Sequence, residues 1–152
     1  MQTITNWMTQ NHRTCDETFS FLEKMLNQQD WKQSAVQLQQ FKSELFAHFD
    51  AEEQLLFPAF EQATGMTHGP TSVMRVEHEQ MRGLFDALEQ ALVVQDFFEL
   101  EGELETFHIL LQQHNMKEES ILYPMSDARL AEPVVMQKQL VEYIEQSVKA
   151  VA

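Results

Sequence analysis

The sequence is poor in cysteine, glycine and proline, with one, four and four of them among 152 residues. The single cysteine, Cys15, excludes a disulfide within the chain and fits a reducing compartment. The N-terminal segment lacks the basic start and the apolar core of a signal peptide, so we predict a cytoplasmic protein. Few glycines and prolines, together with 43% apolar residues, exclude extended disorder and favour helices.

Basic residues are also scarce. Ten Lys and Arg stand against 24 Asp and Glu, which gives a net charge of −14. This balance argues against nucleic acid and against an anionic membrane surface as partners, because both require clustered positive charge. No apolar run approaches the roughly 20 residues that a membrane span needs. The length predicts one domain over residues 1–152, large enough for a substantial core.

Two stretches of the chain share one pattern, residues 48–58 and residues 114–124. Both read His-x-x-x-Glu-Glu, then one residue, an apolar triplet and Pro. On a helix, residues four apart lie on one face, about one turn of 5.4 Å apart. Each stretch therefore presents an imidazole and a carboxylate side by side, as a helix does when it offers two ligands to a metal.

The repeat extends beyond this motif. A further histidine lies 36 residues upstream of each copy, His12 and His78. The same offset of 66 residues pairs Phe19 with Phe85 and continues through the apolar positions between them and the motif. Two copies are too few for a solenoid array. We interpret the chain as a duplicated helical hairpin that closes into one bundle with approximate two-fold symmetry.

Apolar periodicity and capping signals predict an all-α fold, an up-down-up-down four-helix bundle with an added C-terminal helix. The C-terminal helix has an apolar side but no counterpart in the first half, so we expect it to pack across the bundle or to form a homodimer contact. The predicted helices run from Thr3 or Thr5 to Asn27, from Asp30 past a kink at Pro58 to Gly65, from Ser72 to Val93, from Asp96 to Pro124, and from Pro133 to Lys149.

One set of polar groups falls on the inner faces of the four bundle helices. Six ligands exceed the four of a structural zinc site and suit two cations with both carboxylates bridging. Nitrogen and oxygen donors without thiolate favour Fe or Mn, with Zn as an alternative. The competing interpretation, hydrogen-bonded core histidines and solvated pairs, would leave two carboxylates buried without a cation. The six residues are His12, His48, Glu52, His78, His114 and Glu118.

Further predictions concern residues close to these six in the sequence. Glu53 and Glu119 should face solvent, because adjacent helical residues point about 100° apart. Ile121 should lie on the inner face of the fourth helix, one turn after the motif glutamate. Glu44 either orients His48 or, as we favour, is exposed.

These motifs resemble those of the hemerythrin-like, or HHE cation-binding, family over about Trp7 to Pro124. The resemblance implies a carboxylate-bridged, oxo- or hydroxo-bridged non-haem diiron centre held by the six residues above. In the invertebrate oxygen carriers a histidine stands where this chain has Arg82, and an aspartate where it has Glu118. The six-ligand pattern is more similar to bacterial HHE proteins, including those linked to iron–sulfur repair and nitric oxide stress.

The resemblance is compatible with two kinds of function. We expect the centre to bind O2 or NO, as a carrier or a sensor. The alternative is a diiron redox enzyme that reduces NO or peroxide, or an iron donor in iron–sulfur cluster repair. Arg82 in place of the carriers' histidine would leave extra coordination room, which favours the enzyme.

Overall fold

The computed structural model describes residues 2–151, and this part of the chain is helical apart from short connecting segments, without strands. It forms the predicted up-down-up-down bundle with an added C-terminal helix. No helix in residues 2–151 combines the length and apolarity needed to cross a membrane. The helices are α1 (Ile4–Asn27), α2 (Trp31–Ala51), α3 (Phe57–Thr64), α4 (Pro70–Val93), α5 (Phe97–Lys117), α6 (Tyr123–Arg129) and α7 (Pro133–Val151).

Two of the predicted helix starts are confirmed by side-chain caps, whereas the helix expected from Ser72 begins at Pro70. Asp30 and Asp96 are equivalent in the repeat, and each carboxylate accepts the backbone N–H three residues on. The residues before them, Gln29 and Gln95, both adopt a left-handed φ, 53° and 54°. The two hairpins are therefore built with the same turn.

The motif helices do not end at their prolines. Each passes through a π-helical turn, Glu52–Leu56 and Glu118–Leu122, and continues as α3 or α6. A proline in a helix lacks an N–H and clashes with the carbonyl four residues back, and a wider turn placed just before it relieves this conflict. The prediction that helix four ends at Pro124 is therefore wrong, whereas Gly65, with φ 72°, ends α3 as expected.

Each π turn adds a residue and so rotates the chain that follows. Leu56 and Leu122 are buried as a result, while Ile121 is 50% exposed. The prediction that Ile121 faces the core is wrong for this reason, since it assumed an unbroken period of 3.6 residues.

Two apolar clusters fill the bundle. One is built around Phe19, Phe41, Phe85 and Phe107, whose rings meet edge-on or stacked at 5.3–5.9 Å between centroids. The other contains the π-turn leucines and the inner face of α7. The motif histidines lie between the two clusters along their helices, so apolar packing encloses them on both sides.

The C-terminal helix α7 packs against α1, α2 and the first π turn. Leu140 and Ile144 are the apolar residues that it buries. Packing across the bundle is thereby confirmed, while a homodimer contact stays a prediction.

Candidate metal centre

The six predicted residues meet in the middle of the bundle. Each of the four long helices contributes one histidine, and the two glutamates stand at the first positions of the π turns. None of the six side chains is more than 2% exposed. The structure thus brings the six residues together in one buried cluster, and their role as metal ligands stays a prediction.

The donors form two groups that share a carboxylate. His12, His48 and Glu118 place one donor atom each within 4.8 Å of one another, and so do Glu52, His78, His114 and Glu118. Each carboxylate contacts one imidazole from each group. Glu118 Oε1 lies 3.2 Å from His12 Nε2 and 3.3 Å from His114 Nε2. The Glu52 oxygens lie 3.2 Å from His78 Nε2 and 3.4 Å from His48 Nε2. Both carboxylates thus stand between the groups, as bridging ligands do.

A second layer of side chains fixes the imidazole rings. An outer oxygen accepts from every Nδ1, which leaves each Nε2 lone pair pointing inward. The partners of Nδ1 are Glu119 for His12 at 2.7 Å, Asn11 for His48 at 2.7 Å, Glu53 for His78 at 2.6 Å and Glu77 for His114 at 2.9 Å.

Cations on the surface neutralise these outer carboxylates. Arg82 donates to Glu53 at 2.6 Å and to Asp50 at 2.7 Å. Arg13 donates to Glu119, and Lys117 to Glu77. Arg82 thus helps to orient His78 through Glu53 and lies outside the donor set, so the extra coordination room expected at this place stays a prediction.

The prediction that Glu53 and Glu119 face solvent is wrong. Both side chains are about one-fifth exposed and hold a histidine of a neighbouring helix, instead of facing solvent. A direction 100° from the ligand face still allows a glutamate to reach sideways to the next helix. The signal that could have found them is their presence in both copies of the motif.

Tyr123 was also missed. Its hydroxyl is buried among the donors, and it donates to Glu52 Oε2 at 2.6 Å and lies 2.9 Å from Glu118 Oε1. Tyr123 follows Glu118 by five residues, which is one turn of a π helix, so the π turn brings it onto the ligand face. Its repeat mate is Phe57, whose ring stacks on His78 at 5.5 Å.

The remaining polar residues stay outside the centre. Glu44 accepts from the Thr18 hydroxyl and does not contact His48, and it is half-buried rather than exposed. His108 stacks on Phe19 at 4.7 Å, and Cys15 is a buried packing residue.

Burial and mutual contact shift the pKa of the donors in the metal-free protein. Burial lowers the pKa of His12 and His114, but contacts with the carboxylates outweigh it and raise each to about 9. Burial and the charge of Glu118 raise the pKa of Glu52 to about 8. Burial, followed by the charge of His12, lowers the pKa of His48. Without a cation, these groups must therefore take up protons to share one buried space.

The hydrogen bonding of the donors also indicates a metal site, independently of the sequence motif. Glu52 Oε1 and Glu118 Oε2 are buried and accept no hydrogen bond within the described residues. The Nε2 atoms of His78 and His114 face each other at 3.2 Å, although their Nδ1 atoms already point at carboxylates. Cations between these atoms would satisfy both features, so the residues fit a metal centre.

Comparison with known proteins agrees with this chemistry. The family description "Hemerythrin HHE cation binding domain" matches residues 3–126. A stretch of 55 residues is 44% identical to the "Iron-sulfur cluster repair protein YtfE" of Edwardsiella ictaluri (strain 93-146). That stretch is 36% of this chain and 25% of the relative, so the match spans a quarter of the relative's length. No solved structure matches the chain significantly.

Proposed function

We propose, starting from the fact that the chain belongs to the hemerythrin HHE cation-binding family, that it holds two iron ions and binds O2 or NO. The observation that carries this proposal is the contact of each buried carboxylate, Glu52 and Glu118, with one imidazole from each donor group. When bound, iron supplies open coordination positions and a change of oxidation state, which such ligands require. Manganese and zinc are the alternative occupants of the same donors.

The protein's own residues prepare the site for such a ligand. The Nδ1 partners hold every imidazole in one tautomer and one orientation, so no rearrangement is needed when a cation binds. Phe49 stacks on His78 at 3.9 Å and, with Phe57, walls the His78–His114 side with apolar surface. These rings exclude water from the donors.

Burial limits what can reach the centre. With every donor at most 2% exposed, a diatomic molecule can enter through small fluctuations of the packing, whereas a larger substrate cannot. Two arginines lie near the centre, Arg82 paired with Glu53 and Asp50 and Arg13 paired with Glu119. Neither is available to position a substrate. These features favour a carrier or a sensor of O2 or NO, acting in the cytoplasm.

A second candidate rests on the relative named for iron–sulfur cluster repair. On this alternative the chain would donate iron to damaged clusters, or reduce NO or peroxide. The match covers a quarter of that relative, which is why we place this function second.

Two measurements test the proposal. Metal analysis of the anaerobically purified protein should find about two iron ions per chain, and one zinc bound by other residues would refute the diiron centre. Stopped-flow mixing of the reduced protein with O2, NO and peroxide then separates the functions. Reversible O2 or NO binding supports a carrier or sensor. Multiple turnovers with an electron donor support an enzyme, and iron release to a cluster-free acceptor supports the repair role.

A further inference from the structure

We propose that Tyr123 is a seventh protein ligand, bound to the metal at the His12–His48 position. The proposal rests on the diiron function above and adds a residue that the six-ligand motif does not contain. Its basis is the position of the hydroxyl oxygen, which lies 2.6 Å from Glu52 Oε2, 2.9 Å from Glu118 Oε1, 3.0 Å from His48 Nε2 and 3.2 Å from His12 Nε2.

These four distances have the size expected between adjacent ligands of one ion. Bonds of about 2.1 Å in an octahedron place neighbouring donor atoms roughly 3 Å apart. The Tyr123 oxygen thus lies at ligand spacing from every other donor of the His12–His48 position.

Hydrogen bonding alone does not account for this arrangement once the imidazoles have released the protons that a metal would replace. In the neutral rings the Nδ1–H groups of His12 and His48 are directed to Glu119 and Asn11, so both Nε2 atoms carry lone pairs. The phenol then meets two imidazole acceptors and two carboxylate acceptors with a single proton to donate. A cation among these atoms supplies the positive charge that the other contacts lack.

The equivalent residue in the other half cannot do the same. Phe57 stands five residues after Glu52, as Tyr123 stands five after Glu118, and both are the first residue after a π turn. Phe57 brings a ring but no oxygen to the His78–His114 position. The two metal positions are therefore inequivalent: besides the shared carboxylates, one has three protein donors and the other has two.

When the phenol coordinates ferric iron, the metal replaces the phenol proton. The O–H bond breaks, the oxygen keeps the electron pair and shares it with the iron, and the proton leaves to solvent. Ferric phenolates absorb visible light by charge transfer from the ring to the metal. The chain has two tyrosines, so the assignment can be made by substitution.

The test compares wild type with Tyr123→Phe and with Tyr143→Phe, a matched control on α7. Each protein is loaded with ferric iron, its iron content is measured, and its visible and resonance Raman spectra are recorded. We expect a phenolate band in wild type and Tyr143→Phe that disappears in Tyr123→Phe at unchanged iron content. Two irons in wild type with no band, or with a band that survives Tyr123→Phe, would overturn this proposal and leave the diiron centre standing. Failure of wild type to bind iron would overturn both.

The substitution should be tolerated, because phenylalanine already occupies the equivalent place at residue 57. Should Tyr123→Phe nevertheless fail to fold, Phe57→Tyr provides the test. It should place a phenol at the second position and increase the phenolate band up to about twofold per chain. A correctly folded Phe57→Tyr protein with two irons and an unchanged band would contradict the proposal.

Discussion

The two halves of the centre have the same donors but different surroundings. In the first half, His48 is held by the neutral amide of Asn11, and Tyr123 lies against both imidazoles. In the second half, the equivalent of Asn11 is the carboxylate Glu77, and the equivalent of Tyr123 is Phe57. The duplicated sequence has thus kept the four histidines and two glutamates and varied the side chains around them.

The different surroundings should give the two metal positions different properties. A carboxylate on Nδ1 makes an imidazole a stronger electron donor than an amide does. The second half has two such carboxylates, Glu53 and Glu77, and an apolar wall in place of the phenol. On the proposals above, the His12–His48 metal would be the more completely coordinated one, so we expect a diatomic ligand to bind at the His78–His114 metal.

The largest effect should come from the residues that the halves share. Glu118→Gln removes a negative charge from both donor groups at once, so we expect metal content to fall from about two ions towards zero. Glu52→Gln should behave alike because its oxygens also contact both groups. Metal analysis after gel filtration measures this, with the exposed Glu132→Gln as control. A variant that keeps one ion would show that the carboxylate serves only one half.

Removal of the metals should lower the stability of the folded protein, because the buried donors then repel one another. Each ion, at a free concentration 1,000 times its Kd, stabilises the folded state by about 4 kcal/mol, which chelation would abolish. Denaturant unfolding of the metal-bound and metal-free proteins measures the difference. Equal midpoints for the two forms would show that the donors do not hold the metal in the folded state.

The metal-free protein should also lose stability as pH rises. Burial opposes the charge of His12 and His114, but the carboxylates raise each pKa from 6.5 to about 9. The stability that these groups contribute is complete below pH 6.5 and is lost between 6.5 and 9. Glu52, raised from 4.5 to about 8, destabilises the fold in the same direction between those values. Unfolding midpoints of chelated protein at pH 6 and 9 should differ, and those of metal-bound protein should differ less.

The apolar wall of the second half predicts a selective effect on small ligands. Phe57→Tyr would place a phenol where we expect NO to bind, so NO affinity should fall at least tenfold while iron content is kept. Tyr123→Phe opens the other position and should not weaken NO binding. Titration of the reduced proteins with NO measures both. An unchanged affinity in Phe57→Tyr would place the ligand in the other half.

The sequence analysis grouped the six donor residues correctly but missed Tyr123, because the helix does not stay regular beyond the motif glutamates. Up to Glu52 and Glu118 the helices are regular, and a period of 3.6 residues places His and Glu correctly. Beyond them that period puts the residue five positions on about 140° away from the ligand face. The π turn reverses this and brings in Tyr123. The proline inside each continuing helix was the available sign of an irregular turn.

The outer partners were missed because they come from other helices. Glu119 holds His12 of α1 and Asn11 holds His48 of α2, contacts across 107 and 37 residues of sequence. Periodicity along one helix carries no information about such pairs. The repeat would have indicated Glu53 and Glu119 but not Asn11, whose mate is a different residue.

The smallest expected effect concerns the difference between Asn11 and its repeat mate Glu77. Asn11→Asp is nearly isosteric and would give His48 the carboxylate partner that His114 has in Glu77. Outer partners change metal affinity by about 10- to 100-fold when they are removed, so the replacement of an amide by a carboxylate should tighten the first position by less, up to about tenfold. Glu77→Gln is the reciprocal change and should weaken the second position. Competitive metal titration resolves the two affinities, with Asn27→Asp, exposed at the end of α1, as the control for added charge. If Asn11→Asp and Asn27→Asp shift the affinities equally, general electrostatics and not the imidazole partner distinguishes the halves.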